Sequence, residues 1–272
     1  LYSTPPITLD GLVRFVKRRD GAKSYLLLKD IFPQNAVDIG LIRPRGLLHR
    51  YFSAREKRLY SFSDFIGCMS KANVEYILRH NPEIAKERTE VCPNSIRPAA
   101  LSDRCESLLN IRERYAIPGD AVIFNYGGNL GRPQGIDFLL EVLKNIKGRA
   151  DIFFLITGSG TEYGRLEQYI SNSRQNNVKL MKYLPKADYD LLLRCCDVGL
   201  IFLDRRFTIP NFPSRLTAYM EAAIPVLAAT DVNSDIKDVL FEAGCGFWAE
   251  SGDLDNFISQ IDKLAGDENM RR

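Results

Sequence analysis

The sequence contains few of the residues that build metal centres or disulfide frameworks. Its 272 residues include only two histidines and six cysteines, and no two cysteines form a CxxC pair. A zinc site is therefore not expected. The cysteines are instead expected to be reduced thiols in a cytoplasmic protein. No apolar run approaches the ~20 residues that a membrane-spanning helix needs, and no secretory signal peptide is visible. A globular protein of the cytoplasm is the expected class.

Several ligand-binding signatures are also missing. The chain lacks the GxxxxGK[ST] of a P-loop, and its first glycine-rich turn lacks the GxGxxG of a dinucleotide-binding strand–turn–helix. Neither Walker-type hydrolysis nor NAD binding is therefore indicated. The run Asp253-Leu254-Asp255 stands where the last long helix should begin, so we interpret Asp253 as an N-cap rather than a metal ligand and expect no metal site.

Positive charge is concentrated at one end of the chain. The overall net charge is +3, whereas residues 1–60 hold twelve Lys/Arg against five acidic residues, a local charge of +7. Within 43–62, apolar and basic residues alternate at helical spacing. Two interpretations stay open: a basic amphipathic helix on an anionic membrane surface, or a helix packed on its own domain. The apolar members are Leu47, Leu48, Tyr51, Phe52 and Leu59, and the basic ones are Arg50, Arg55, Lys57 and Arg58.

Short apolar runs alternate with helix-period segments almost throughout the chain. Strands alternating with helices of ten or more residues predict parallel α/β sheets, and continuous apolar strands predict sheets covered on both faces. The predicted strands are 24–29, 65–69, 89–92, 121–126, 151–157, 178–181, 197–203 and 224–229.

The alternation is interrupted once, at "PNSIRPAALSD" (93–103), which has two prolines and no hydrophobic period. We interpret this segment as a linker between two Rossmann-like units. The predicted boundaries are 1–97 for the first unit, 98–118 for a linker with a connecting helix, and 119–272 for the second. Three predicted strands are too few for a complete Rossmann-like sheet, so the first unit is expected to be incomplete.

Four loops of the second unit follow predicted strands. They contain the motifs "YGGNLGRPQG", "TGSGTEYGRLE", "KYLPKAD" and "FLDRRFTIPNFPSRL". In a parallel sheet such loops meet at one edge, where α/β folds bind ligands. Backbone amides at a glycine turn together with Arg132 would suit a diphosphate. Ser214 is a natural N-cap, and Arg215 in the first helical turn opposes the helix dipole unless an anion binds there.

These motifs, in this order, resemble the donor-binding domain of family 4 glycosyltransferases. The runs are "YGGNLGRPQGIDFLL", "FLITGSGTEYGRLE", "KYLPKADYDLLLRCCDVGLIFL" and "PNFPSRLTAYMEAAIPVLAATD", while "LLLKDIFPQNAVDIGLI", "SDFIGCMSKANVEYI" and "VCPNSI" resemble the second half of the family's N-terminal domain. The resemblance implies a GT-B fold of two Rossmann-like α/β domains. It also implies that the start of the acceptor-side domain is missing from this chain.

The resemblance further implies a retaining, metal-independent hexosyl- or N-acetylhexosaminyltransferase without a cofactor. The donor would be a nucleotide-diphospho-sugar, with a UDP-sugar preferred over a GDP-sugar. The acceptor would be a glycan or lipid-linked sugar in bacterial surface-polysaccharide assembly, at the inner face of the cell membrane, with no nucleic acid partner. A sugar-nucleotide epimerase on the same scaffold and a non-catalytic nucleotide-sugar-binding fragment remain alternatives.

Matching the family's motifs position by position assigns roles to particular residues. Catalytic roles fall on Lys29 and Asp30 at a strand end of the first domain, and on Arg132 and Arg215 as phosphate cations. The nucleobase would be held by Tyr183, Leu184 and Pro185. The other donor-binding positions are Gly128, Asn129, Gln134, Gly158, Asn211, Phe212 and Ser214.

The sequence departs from the family pattern at the ribose and in the glycine loop. Relatives often have two glutamates separated by seven residues, at the positions of Pro210 and Ala218 here. Glu221, one turn further along, either replaces the second glutamate or is simply solvated. Relatives also often place cations where Asn129 and Gln134 stand, which leaves Arg132 as the cation of this loop.

Overall fold

A computed structural model describes residues 1–97 and 111–271, and these fold around two parallel β-sheets. The chain divides into two compact units. The first unit consists of Leu1–Ser95 together with Arg206–Phe212 and Val232–Asp235; the second consists of Ile96–Arg205, Pro213–Asp231 and Ile236–Arg272. Most of the predicted linker, 98–110, lies outside the described residues, and residues 111–114 are helical. The predicted parallel α/β class is confirmed.

The first unit has a four-stranded sheet in the order β1-β2-β3-β4, and every neighbouring pair is parallel. The strands are β1 (Tyr2–Thr4), β2 (Tyr25–Leu28), β3 (Phe65–Cys68) and β4 (Thr89–Val91). The helices are Asp10–Asp20, Gln34–Asp38, Leu47–Phe62 and Lys71–His80. Three of these strands were predicted. β1 was missed because it has only three residues, and Pro5 and Pro6, which cannot donate to a sheet, follow it at once.

The Leu47–Phe62 helix confirms the helical prediction for the basic segment. At its C-terminal end Leu59 and Tyr60 are buried, whereas Leu47, Leu48 and Tyr51 near its N-terminus are exposed. The helix therefore packs on its own unit at one end and leaves apolar side chains in solvent at the other.

Two ion pairs fasten this region. Arg55 Nη1 lies 2.7 Å from Oδ1 of the buried Asp10, which joins the Leu47–Phe62 helix to the Asp10–Asp20 helix. Lys17 Nζ lies 2.7 Å from Asp64 Oδ2, and Ser24 donates to the same carboxylate oxygen from its backbone amide. Hydrogen bonding to these donors lowers the pKa of Asp64 to about 2, so the carboxylate stays charged at neutral pH.

The second unit has a six-stranded parallel sheet in the order β10-β9-β8-β5-β6-β7. From β5 the chain adds β6 and β7 on one side and then β8, β9 and β10 on the other. This reversal next to β5 is the topological switch point at which open α/β sheets bind ligands. The strands are β5 (Val122–Asn129), β6 (Ile152–Ser159), β7 (Val178–Met181), β8 (Val198–Phe202), β9 (Val226–Thr230) and β10 (Gly246–Glu250).

Helices cover both faces of this sheet, and several aromatic rings pack together within its largely aliphatic core. The rings of Phe124 and Phe154 stack with centroids 5.3 Å apart, and Phe202 lies 5.2 Å from Phe257 of the Leu254–Gly266 helix. Every residue of β8 and β9 is buried, as expected for strands covered on both faces. The helices of this unit are Ile136–Asn145, Tyr163–Ser173, Lys186–Leu193, Arg215–Glu221, Ile236–Glu242, Leu254–Gly266 and Glu268–Arg271.

Candidate functional site

A cavity of about 500 Å³ opens at the carboxyl ends of β5, β6 and β7. The register explains its position, because Gly128 pairs with Gly158 and Asn129 with Ser159, so β5 and β6 end at the same level. Three of the four loops with predicted ligand contacts contribute side by side, together with the Arg215–Glu221 helix. The lining residues are Gly127, Gly128, Asn129, Thr157, Gly158, Ser159, Lys182, Tyr183, Leu184, Tyr189, Arg215 and Ala218.

The glycine loop after β5 is held rigidly. Pro133 lies in a 3₁₀ turn, Arg132–Gln134, and Gly135 follows with a φ of +56° that favours glycine. A Cβ on Gly135 would also lie 2.8 Å from the carbonyl oxygen of Leu203. The amide of Asp204 donates to Pro133 O at 3.0 Å. The loop is therefore fixed against the end of β8 before the Ile136–Asn145 helix begins.

Arg215 is the first residue of its helix, as predicted, and its guanidinium is enclosed by neutral groups. Nη2 donates to Gln134 Oε1 at 2.6 Å, and Cζ lies 4.3 Å from the centre of the Tyr126 ring. Among the described residues, no group accepts a hydrogen bond from the buried Nη1. Because an unsatisfied buried donor is costly, this nitrogen is suited to bind an anionic oxygen.

Three tyrosines near the guanidinium keep their protons; Tyr126 and Tyr219 are fully buried and Tyr189 is half-buried. Burial raises the pKa of Tyr126, Tyr189 and Tyr219. Their hydroxyls donate to Asn129 O at 2.8 Å, Asn125 Oδ1 at 3.2 Å and Leu200 O at 2.9 Å respectively. Neutral donors and aromatic rings thus surround the positive charge of Arg215. The charge therefore stays available to bind an anionic ligand.

Six of the residues predicted for the site line this one cavity: Gly128, Asn129, Gly158, Tyr183, Leu184 and Arg215. The Tyr183 side chain is 82% exposed, while Leu184 is buried beneath it. Pro185 follows as the N-cap residue of the Lys186–Leu193 helix. Gln134 contacts the cavity through Arg215. An exposed aromatic ring beside buried apolar and polar groups is a suitable surface for a planar base.

Two other predicted residues, Arg132 and Ser214, are not among the residues that line the cavity. The Arg132 side chain is 57% exposed, and its Nε lies 3.7 Å from Glu162 Oε1. Ser214 occupies the N-cap position, as predicted. Its side chain accepts no capping hydrogen bond, because its backbone is already helical (φ −64°, ψ −20°) rather than extended.

The remaining predicted residues belong to the first unit. Lys29 is exposed just after β2, and Asp30 next to it is half-buried, with a pKa raised by that burial. Asn211 accepts a hydrogen bond from Ser234 Oγ through its carbonyl oxygen, at 2.7 Å, and Phe212 follows it. The cavity and these four residues are therefore in separate units.

The two positions at which this chain lacks the family's glutamates, Pro210 and Ala218, belong to different units. Ala218 lines the cavity, whereas the Pro210 carbonyl oxygen accepts from Asn73 Nδ2 at 2.6 Å within the first unit. Glu221 is half-buried at the end of the Arg215–Glu221 helix. None of the described residues that line the cavity is acidic, which favours an anionic ligand.

Sequence reasoning missed several lining residues. Thr157 is buried and its Oγ1 has no hydrogen-bond partner in the described part of the chain. Lys182 Nζ lies 5.0 Å from the centre of the Tyr163 ring. Tyr189 covers Gly127 from the Lys186–Leu193 helix. Thr157 is the last residue of a predicted strand, and Lys182 directly follows another. These positions at strand ends are the signal by which the sequence could have identified both residues.

The described residues contain neither a metal cluster nor a membrane-spanning helix. Residues 1–97 and 111–271 hold no group of three or more His, Cys, Asp or Glu side chains placed to share a metal ion. Asp253 accepts a hydrogen bond from the Asn256 amide at 3.1 Å, so its interpretation as an N-cap is confirmed. No helix in these ranges has the length and apolar character needed to cross a bilayer.

Comparison with known proteins decides the family. The sequence profile described as "Glycosyl transferases group 1" matches residues 107–272, the segment that contains every lining residue of the cavity. The chain belongs to this family of glycosyltransferases. The predicted resemblance is therefore confirmed.

Two curated relatives are glycosyltransferases by name, and one of them is named for colanic acid biosynthesis. The glycosyltransferase WbjE of Pseudomonas aeruginosa is 23% identical over 268 residues, which cover 97% of this chain and 65% of WbjE. The colanic acid biosynthesis glycosyl transferase WcaI of Escherichia coli K12 is 23% identical over 211 residues, 75% of this chain and 50% of WcaI. The chain thus spans between half and two thirds of these relatives.

Solved structures of two further proteins share the fold of this chain. Anabaena HepE, solved with UDP-glucose, superimposes with a TM-score of 0.77 at 16% identity, over 99% of this chain and 70% of HepE. WaaG, a glycosyltransferase of lipopolysaccharide biosynthesis, gives 0.71 at 15% identity, over 96% of this chain and 73% of WaaG. The GT-B fold predicted for this protein is confirmed.

Proposed function

We propose that this chain forms the donor-binding part of a retaining glycosyltransferase. The donor is a nucleotide-diphospho-sugar, with UDP as the preferred nucleotide. The acceptor is a glycan or a lipid-linked sugar in surface-polysaccharide assembly. The names of WbjE and WcaI and the UDP-glucose bound to HepE support this choice.

The observation that carries the proposal is the unsatisfied Nη1 of Arg215 in a cavity without acidic lining. A departing nucleoside diphosphate develops negative charge on its β-phosphate. A cation and backbone amides already in place stabilise that charge without reorganisation. The amides are those of the glycine turns that end β5 and β6. Leaving-group stabilisation is accordingly the main catalytic contribution that we assign to this unit.

The nucleobase is assigned to the surface of Tyr183. This ring is exposed, whereas Leu184 below it is buried, so a base can stack on the ring and contact the backbone of the same segment. Thr157 Oγ1, a buried hydroxyl with no partner among the described residues, is suited to a polar group of the nucleotide. Ribose recognition is assigned to such groups, since Ala218 cannot accept a hydrogen bond through its side chain.

Lys29 and Asp30 are assigned to the acceptor side of the reaction. They follow β2 of the first unit, and burial raises the pKa of Asp30 above its ordinary value. Because no carboxylate is assigned as a nucleophile, we propose front-face displacement with retention of configuration.

Calorimetry with UDP, GDP and their nucleosides tests the donor assignment directly. The expected result is nucleoside-diphosphate binding that is at least tenfold tighter than binding of the free nucleoside. Equal affinity for both, or no binding of either diphosphate, would remove the basis of the assignment. Release of nucleoside diphosphate from a nucleotide-sugar only after an acceptor is added distinguishes transfer from epimerisation.

The exposed end of the Leu47–Phe62 helix is proposed as a contact with an anionic membrane surface. Leu47, Leu48 and Tyr51 expose apolar area, and Phe15 and Leu12 on the adjacent Asp10–Asp20 helix are exposed as well. Both helices lie in the basic part of the chain. Apolar insertion and attraction of Lys/Arg to anionic headgroups add together in such a surface. A peripheral location at the inner face of the cell membrane would follow.

Co-sedimentation with vesicles tests this contact. Wild-type protein is expected to bind vesicles containing about one third phosphatidylglycerol and to bind neutral phosphatidylcholine vesicles weakly. Leu47→Ser with Leu48→Ser should lower the binding at least fivefold, because an apolar insertion is lost. Phe241→Ser, which changes an exposed aromatic residue of the second unit, is the matched control and should bind like wild type. Equal binding of both variants would contradict the assignment.

A further inference from the structure

The guanidinium of Arg215 is fixed by two neighbours on the β5 side of the cavity. Its face lies on the Tyr126 ring, with Cζ 4.3 Å from the ring centre. Its Nη2 donates to Gln134 Oε1 at 2.6 Å. A planar group held at one face and at one edge has little freedom to rotate. The direction of Nη1, which has no hydrogen-bond partner among the described residues, is therefore set by Tyr126 and Gln134.

Gln134 is itself held in place by the turn that contains it. Its backbone amide donates to Gly131 O at 3.0 Å, and the preceding carbonyl, of Pro133, accepts from Asp204 at 3.0 Å. The Tyr126 hydroxyl lies 3.3 Å from Gln134 Oε1. The amide oxygen that receives the Arg215 hydrogen bond thus belongs to a rigid segment and not to a mobile surface side chain.

The neutrality of Gln134 matters as much as its position. A glutamate there would cancel the charge of Arg215, and a lysine would repel it at the same distance. An amide oxygen accepts the hydrogen bond and leaves the net charge of +1 intact. The glycine loop's own cation, Arg132, is exposed and lies near Glu162, so it does not replace this charge.

We propose that Gln134 is a positioning residue that aims Arg215 at the diphosphate, so that one guanidinium provides the cationic contact of the whole glycine loop. This inference rests on the proposed donor site. It replaces the expectation that Gln134 touches the donor itself. Its consequence is selective: loss of Gln134 should weaken binding of the diphosphate part of the ligand and leave binding of the nucleoside unchanged.

Binding of a nucleoside and its diphosphate to four proteins tests the inference. The proteins are wild type, Gln134→Ala, Arg215→Ala and the double variant, and the ligand pair is uridine with UDP or guanosine with GDP, whichever the wild type binds. Gln134→Ala is expected to weaken diphosphate binding about tenfold, the scale of one hydrogen bond to a charged group. Nucleoside binding should not change.

The double variant decides whether Gln134 acts through Arg215. If it does, Gln134→Ala should cause no further loss in the Arg215→Ala background, which is full coupling in a double-mutant cycle. Gln168→Ala changes an exposed glutamine on the Tyr163–Ser173 helix and should leave both affinities as in wild type. Thermal unfolding of each variant verifies that the fold is kept.

The failures are distinguishable. If wild type binds neither diphosphate more tightly than its nucleoside, the donor site and this inference both fall. If Arg215→Ala weakens diphosphate binding but Gln134→Ala does not, only the inference falls. A loss of nucleoside and diphosphate affinity in equal proportion, or additive losses in the double variant, would also overturn it.

Discussion

Arg215 lies against Tyr126, with the guanidinium carbon 4.3 Å from the centre of a fully buried ring. This contact joins the first turn of the Arg215–Glu221 helix to the central strand β5. A cation at a helix N-terminus is unfavourable by itself. Here an aromatic face and an amide oxygen hold it, and none of the described carboxylates forms an ion pair with it. The charge is consequently placed for a ligand rather than for an internal ion pair.

Arg215→Lys should therefore lower nucleoside-diphosphate affinity by about ten- to a hundredfold. Lysine keeps the charge but cannot stack on Tyr126 and donate to Gln134 and to a phosphate at once. Arg132→Ala should lower the affinity less than threefold, because the Arg132 side chain is 57% exposed and lies near Glu162. Calorimetry with UDP or GDP measures both. A larger loss for Arg132→Ala would reverse this ranking of the two cations.

Tyr183→Ala should weaken nucleoside binding about tenfold, which corresponds to the loss of one base–aromatic stack. The free energy of unfolding should change by less than about 0.5 kcal/mol, since 82% of the side chain is exposed. Tyr183→Phe retains the ring and should bind like wild type. If Tyr183→Ala leaves uridine and guanosine affinity unchanged, the base does not bind on this ring.

Local patterns were sufficient to predict most of the fold. Continuous apolar runs bounded by turn residues located eight of the ten strands, because buried parallel strands have no polar face to interrupt them. The strand β10 (Gly246–Glu250) was missed, since it begins with a glycine and is only partly buried at the sheet edge.

The site was predictable only where glycine turns or charged residues lie close to the end of a predicted strand. Glycine turns after strands and the unusual cation at position 215, in the first turn of a helix, indicate the ligand-binding edge from the sequence alone. The contact of Gln134 with Arg215 could not be derived, because the two residues are 81 positions apart and meet through the packing of two loops. The failed cap of Ser214 has a similar origin, since its backbone angles depend on the preceding loop.

Gly127→Ala should destabilise the protein by about 1–3 kcal/mol. An added methyl group would overlap the Tyr189 hydroxyl and lie 2.6 Å from its Cζ. Urea unfolding measures the loss. Tyr189→Ala removes the obstructing ring, so the double variant should lose less stability than the two single changes combined. Strictly additive losses would show that the ring does not limit the size of residue 127.

Glu56 should make the protein less stable as pH rises from about 4.5 to 7. Its Oε1 accepts a hydrogen bond from Tyr60 at 2.8 Å, and burial raises the carboxyl pKa to about 7 from an ordinary 4.5. In this window the folded state keeps a proton that the unfolded chain releases, so the unfolded state is favoured with increasing pH. Below 4.5 both states hold the proton, and above 7 neither does.

Glu56→Gln tests this dependence, because glutamine keeps the acceptor for Tyr60 and carries no charge at any pH. At pH 8 the variant should be more stable than wild type by roughly 2–3 kcal/mol, and near pH 4.5 the two should be almost equal. Urea midpoints at both pH values give the comparison. Glu83→Gln, at an exposed position of the first unit, is the control and should show no such difference between the two pH values. A Glu56→Gln effect of equal size at pH 4.5 and pH 8 would mean that packing, rather than the raised pKa, accounts for it.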